Sequence, residues 1–154
     1  MTDRTSPASS PRDLTVQLPD GASLFASRWS PGANAPIART PILLFHDSLG
    51  SVALWRDFPA ALAARTARTV VAYDRLGFGR SSPRSGPLDR EFVAEEARVS
   101  VPALRAELDL DRFVAFGHSV GGGMAVHVAA TYPDACVGLI TESAQAFVED
   151  RTLA

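Results

Sequence analysis

Residues Arg112 to Val126 read RFVAFGHSVGGGMAV. Phe113 to Phe116 form a short, continuous apolar run, as expected of a strand buried on both faces. Val120 to Tyr132 has the small and apolar composition of a packed helix and is closed by Pro133. Where the two meet stands Gly117-His118-Ser119-Val120-Gly121, a Gly-x-Ser-x-Gly pattern at a strand-to-helix junction. A serine placed there sits on a tight, strained turn that projects its oxygen above the sheet. Gly117 and Gly121 serve this turn because neighbouring backbones approach where a Cβ would clash, and Gly122 and Gly123 keep the helix close to the strand. The start of the helix adds unpaired N–H groups and the positive end of the dipole, so the Val120 N–H can face an oxyanion. A phosphate-binding turn is the competing explanation, but no Gly-Lys-Ser/Thr is present. Gly77-Phe78-Gly79, followed by Arg80-Ser81-Ser82, lacks the third glycine of a dinucleotide fingerprint.

Further from this turn, the same strand type recurs in ILLF (Ile42–Phe45), TVVAYD (Thr69–Asp74) and CVGLIT (Cys136–Thr141). Helical stretches separate these runs. Leu54, Phe58 and Leu62 are spaced i, i+4, i+8; Val93, Ala97, Val101, Leu104 and Leu108 share one helical face. Pro102 predicts a kink or a restart after Ser100. Alternation of buried strands and helices means βαβ units and a parallel sheet. Ahead of it, LTVQL (Leu14–Leu18) and SLFASRW (Ser23–Trp29) alternate apolar and polar around Pro19-Asp20-Gly21, which predicts an antiparallel hairpin. The expected order is β-β-β-α-β-α-β-α-β. Residues 1–12 are rich in Ser, Thr and Pro and read as a disordered tail, leaving 13–154 as the ordered part, the N-terminal portion of a domain.

Composition narrows the function. The chain has 154 residues, 46% of them hydrophobic and 21% charged, enough for a single core. Fifteen basic against seventeen acidic residues leave a net charge of -2, which argues against a nucleic-acid partner. Cys136 is the only cysteine, and the three histidines are scattered, so no zinc spacing is present and no metal or organic cofactor is expected. No apolar run approaches the ~18 residues of a membrane span, and the N-terminus lacks a signal-peptide stretch. The expectation is a cytoplasmic protein that does not engage a membrane.

Three segments together resemble the α/β-hydrolase superfamily, especially its small esterases, haloperoxidases and ring-cleavage hydrolases. They are His46-Asp47-Ser48-Leu49-Gly50-Ser51, Asp74-Arg75-Leu76-Gly77-Phe78-Gly79-Arg80-Ser81 and GHSVGG at Gly117–Gly122. The resemblance covers residues 13–154. It implies an α/β fold, a mostly parallel sheet with about six of the family's eight strands. It implies Ser119 as nucleophile, with N–H groups of Val120 and, by motif position, Ser48 as the oxyanion hole. Gly117, His118, Gly121 and His46 become supports of the elbow and loop, and Asp74 or Ser81 caps local amides. Asp47 replaces the family's more common glycine. Serine rather than aspartate at the nucleophile points to acyl transfer on a small-molecule substrate: hydrolysis of an ester, thioester, lactone or amide, or carbon–carbon cleavage of a diketone.

A serine needs a base to take its proton. In the family the acid usually follows the seventh strand and the histidine the eighth, and this sequence stops after the sixth. His118, next to Ser119, is expected to pack beneath the turn. His127 lies eight residues along the helix from Ser119, about 12 Å away at 1.5 Å per residue. His46 is expected to hold its loop. Glu142, ending the sixth strand, is a possible acid. Loss of the histidine alone costs about 10⁶ in kcat in a well-studied serine protease. The sequence is therefore expected to be a truncated, nearly inactive hydrolase, or a non-catalytic remnant or binding module keeping the fold. Val137–Ile140 would be an apolar edge open to a complementing C-terminal fragment or to self-association.

Overall fold

The computed structural model describes residues 10–32, 39–88 and 91–144. Most of the expected tail therefore lies outside the described residues. Strands β1 (Arg12–Gln17) and β2 (Ser23–Trp29) form the antiparallel hairpin, with Arg12 already paired to Arg28. They are followed by β3 (Arg39–Phe45), α1 (Phe58–Thr66), β4 (Arg68–Tyr73), α2 (Phe92–Glu95), α3 (Val101–Leu108), β5 (Phe113–His118), α4 (Val120–Thr131) and β6 (Cys136–Glu142). The six strands make one sheet in the order β1-β2-β4-β3-β5-β6. β2 joins β4 antiparallel, whereas β4, β3, β5 and β6 run parallel.

Each face of the sheet carries its own apolar layer. Leu43, Phe45, Val71, Tyr73, Phe113 and Ala115 pack with Val101, Leu104, Met124 and Val128 on one side. On the other, Ile42, Leu44, Val70 and Ala72 meet Val52 and Ala63, with Trp55, Val114 and Phe116 at the margin. Residues of one strand alternate between the two layers because successive side chains point to opposite faces. β5 shows this well: Phe113, Ala115 and Gly117 are buried, whereas Val114, Phe116 and His118 are half-buried on the α1 side. The apolar run of β6 is an edge among the described residues, as expected, with Val137, Leu139 and Ile140 each more than 40% exposed.

Two helical expectations resolve differently. The helix drawn through Leu54, Phe58 and Leu62 is broken: a 3-10 turn covers Val52–Trp55, Arg56 takes φ 51°, and α1 starts at Phe58. Pro59 explains the start, since proline lacks the N–H that only the first turn can do without. Leu54 is left 60% exposed. The kink at Pro102 takes the form of a π-helical turn over Glu96–Ser100, between α2 and α3. Proline there cannot donate to the carbonyl four residues back, and the wider turn absorbs the mismatch. No helix among the described residues is long and apolar enough to cross a membrane.

Candidate active site

Ser119 is the one-residue joint between β5 and α4, with φ 54° and ψ −122°. That φ is uncommon for any residue with a Cβ and marks stored strain. The surroundings enforce it. Ser119 N–H donates to the Glu142 carbonyl at 2.9 Å, and Gly122 N–H donates to the Ser119 carbonyl at 2.9 Å. A Cβ on Gly117 would collide with the Gly121 carbonyl, and one on Gly121 would collide with the carbonyls of Phe45 and His46. The two glycines thus let α4 settle against β5 and against the end of β3 at once. Ser119 is half-buried, and its hydroxyl makes no hydrogen bond among the described residues. Val120 is the first residue of α4, so its N–H has no acceptor within the helix.

The loop after β3 is built from polar contacts. Asp47 accepts through Oδ1 from Leu49 N–H at 3.1 Å, and its carbonyl accepts from Gly50 N–H at 3.3 Å, closing a tight turn. Neither Asp47 nor Ser48 has positive φ, so aspartate sits without strain where the family more often has glycine. His46 is buried and uses both ring nitrogens: Nδ1–H donates to the Asp47 carbonyl at 2.8 Å, and Nε2 accepts from Arg75 N–H at 3.1 Å. Burial, reinforced by the Arg75 charge, lowers its pKa to about 4. His46 is a neutral brace with no free nitrogen to offer a serine.

Asp74 is likewise committed. Its oxygens accept from the N–H groups of Val52 at 2.6 Å and Arg80 at 2.7 Å, while Ser81 Oγ donates to the Asp74 carbonyl at 2.5 Å and accepts from Phe25 N–H at 2.8 Å. These bonds tie the β4 loop to β2 and to the turn after the Asp47 loop.

His118 departs from expectation. Its ring does not pack beneath the turn; it faces the α1 side and lines a cleft of about 160 Å³ with His46, Asp47, Ser51, Leu54 and Trp55. The cause is strand alternation: with Gly117 on the α4 side, His118 must point the other way. There it pairs through Nδ1 with the Glu142 carboxylate, linking β5 to β6. Glu142 also accepts from Ser143 Oγ at 2.6 Å, and these bonds, the Ser143 one foremost, hold its carboxyl below the usual range. Glu142, the possible acid, is thus joined to His118. His127 lies on α4, two turns beyond Ser119.

Two groups escaped the sequence reading. Arg75 is buried, stacks on Phe78 at 4.2 Å from the ring centre and reaches the Asp47 loop. Glu96, on the π-helical turn, is buried and accepts from Tyr73 Oη at 2.6 Å; desolvation raises its pKa. Only its position beside an apolar helical face hinted at burial.

Comparison with known proteins agrees with this fold. The family model for the alpha/beta hydrolase fold matches residues 40–153. The chain is 35% identical over 125 residues to a human (Lyso)-N-acylphosphatidylethanolamine lipase, covering 81% of this chain and 35% of that protein. It is 32% identical over 139 residues to the 1-acylglycerol-3-phosphate O-acyltransferase ABHD5 of Rattus norvegicus, covering 90% of this chain and 38% of that one. It thus spans little more than a third of the length of these relatives. A CIB-like hydrolase of Thermoplasma acidophilum has the same fold, with TM-score 0.73, 24% identity, and coverage of 88% of this chain and 63% of that one.

Proposed function

The chain belongs to the α/β-hydrolase fold family, and from that premise we propose that Ser119 is the nucleophile of an acyl-transfer hydrolase acting on a small carboxylic ester or related carbonyl compound. The observation that carries this reading is the Ser119 backbone, held at φ 54° between a strand and a helix with its hydroxyl uncommitted. In the proposed step the Ser119 oxygen attacks the substrate carbonyl, and the Val120 and Ser48 N–H groups receive the negative charge that develops on the carbonyl oxygen. Collapse expels the alcohol and leaves an acyl-serine, which water then hydrolyses.

The base for this step is assigned to polypeptide beyond these 154 residues. His46 has both nitrogens engaged and His118 is paired with Glu142. The same observation favours a second reading, in which the 154 residues alone serve as a non-catalytic module. Either way, the exposed edge of β6 is the proposed docking line, for the complementing segment or for a second copy.

The test is hydrolysis of a p-nitrophenyl ester by the chain alone and by the chain joined to a C-terminal half, each beside Ser119→Ala. Trace activity alone, turnover in the joined protein and its loss in Ser119→Ala are the expected results. A joined protein that folds but stays inactive supports the module. Robust turnover by the chain alone, abolished in Ser119→Ala, would mean that a base is present within it.

A further inference from the structure

Arg75 is an expensive residue to bury. Among the described residues no carboxylate lies within ion-pair distance of it, and its Nε has no hydrogen-bond partner. Its Nη2 instead donates to two backbone carbonyls, Asp47 at 2.8 Å and Ser48 at 3.2 Å. A guanidinium buried this way is a poor device for stability: the charges of Glu96 and Asp47 favour it from a distance, but its desolvation outweighs them and no anion among the described residues meets it in a direct ion pair.

The carbonyls it holds are informative. The Asp47 carbonyl receives His46 Nδ1–H and Arg75 Nη2–H, both at 2.8 Å, besides the turn bond from Gly50. That carbonyl and the Ser48 N–H belong to one planar, trans peptide, so they point in opposite directions. Fixing the carbonyl fixes the N–H. Sheet order supplies the direction: β4, which carries Arg75 just past its end, lies on one side of β3, and β5, which leads into Ser119, lies on the other. Drawing the Asp47 carbonyl toward the β4 side turns the Ser48 N–H toward the β5 side. Leu49 N–H is used by Asp47 Oδ1, whereas Ser48 N–H has no acceptor among the described residues.

We infer that Arg75 is a positioning residue for acyl transfer: with His46 it clamps the Asp47–Ser48 peptide in the orientation that presents the Ser48 N–H to the oxyanion. This rests on the reading of Ser119 as nucleophile. In an enzyme stripped of its triad base, the residual rate over water comes from the oxyanion hole and binding. Slow labelling of Ser119 in the 154-residue chain by a fluorophosphonate is therefore a sensitive gauge of the hole.

The experiment measures that labelling by intact mass over hours for wild type, Arg75→Met, Arg75→Lys and Arg80→Met, the last removing an exposed guanidinium that pairs with Asp13. The Asp47 13C′ resonance is recorded on the same samples. Arg75→Met should label about 10- to 100-fold more slowly, Arg75→Lys should fall between it and wild type because lysine keeps the charge and donors but loses the planar group that stacks on Phe78 and fixes the donor's direction, and Arg80→Met should match wild type. The Asp47 resonance should move upfield in Arg75→Met as a donor is lost. A folded Arg75→Met that labels at the wild-type rate overturns the inference; if that variant does not fold, a wild-type rate in Arg75→Lys overturns it. Should wild type not label at all, the nucleophile reading fails. The clamp is then judged by the Asp47 resonance, and an unchanged shift refutes it.

Discussion

Replacing Ser119 by glycine should stabilise the fold. Ser119 holds φ 54° and ψ −122°, a conformation that costs a residue with a Cβ about 1–3 kcal/mol and glycine almost nothing. Nothing is lost in exchange at the side chain, because the hydroxyl makes no hydrogen bond among the described residues. The two backbone bonds at this residue, to Glu142 and from Gly122, persist in glycine. Against the gain stands the extra freedom of glycine in the unfolded chain, about 0.4–1 kcal/mol. The net stabilisation is about 1 kcal/mol, or roughly 2–4 °C in midpoint for a chain of this size. Ser119→Ala keeps the Cβ and therefore the strain, so it should stay near wild type and serves as the reference. Urea unfolding followed by far-UV circular dichroism measures both variants. A Ser119→Gly protein no more stable than Ser119→Ala would show that the elbow is not strained and would remove the main support for Ser119 as a poised nucleophile.

Three other outcomes follow from the same geometry. Gly121→Ala should cost at least about 3 kcal/mol, because its Cβ meets the carbonyls of Phe45 and His46, neither able to yield; Gly86→Ala, at φ 91° with open space around it, should cost only about 1 kcal/mol in the same urea titration. The His46 ring should remain neutral down to a pH of about 4. Its folded pKa lies below the ordinary value of 6.5, so the unfolded chain binds the extra proton: stability is full above about 6.5 and falls as pH drops through about 4. NMR titration of the ring Cε1–H reads this directly, and a midpoint near 6.5 would contradict the brace. Tyr73→Phe removes one of the two donors, with Ser100, to the buried Glu96 carboxyl and should destabilise by about 1–3 kcal/mol on thermal unfolding.

The elements near Ser119 were legible because local rules and tertiary need coincide there. RFVAFG could hardly be other than a buried strand, and Gly117 and Gly121 are explained by backbones that do touch. The hairpin around Pro19-Asp20-Gly21 was readable for the same reason: its turn chemistry and its strand alternation agree. The Leu54–Leu62 helix misled because periodicity carries no information about a left-handed residue at Arg56. CVGLIT is as apolar as its neighbours, so composition alone does not mark it as an edge; the family resemblance did, and the strand order places it there among the described residues.

What the sequence determined by itself is the order of elements, the α/β class and the position of the serine turn, because each depends on residues adjacent in the chain. It could not decide which histidine does what. His46 is a brace because Arg75, 29 positions away, brings an N–H to its Nε2. His118 faces the α1 side because Gly117 before it must face α4, and it finds Glu142 only because β6 lies beside β5. The contact of Arg75 with the Asp47 loop is of the same kind: two short loops, distant in sequence, become neighbours only when β3 and β4 pair in the sheet. Hydrogen bonds of that range are set by strand order and register, which no local pattern encodes.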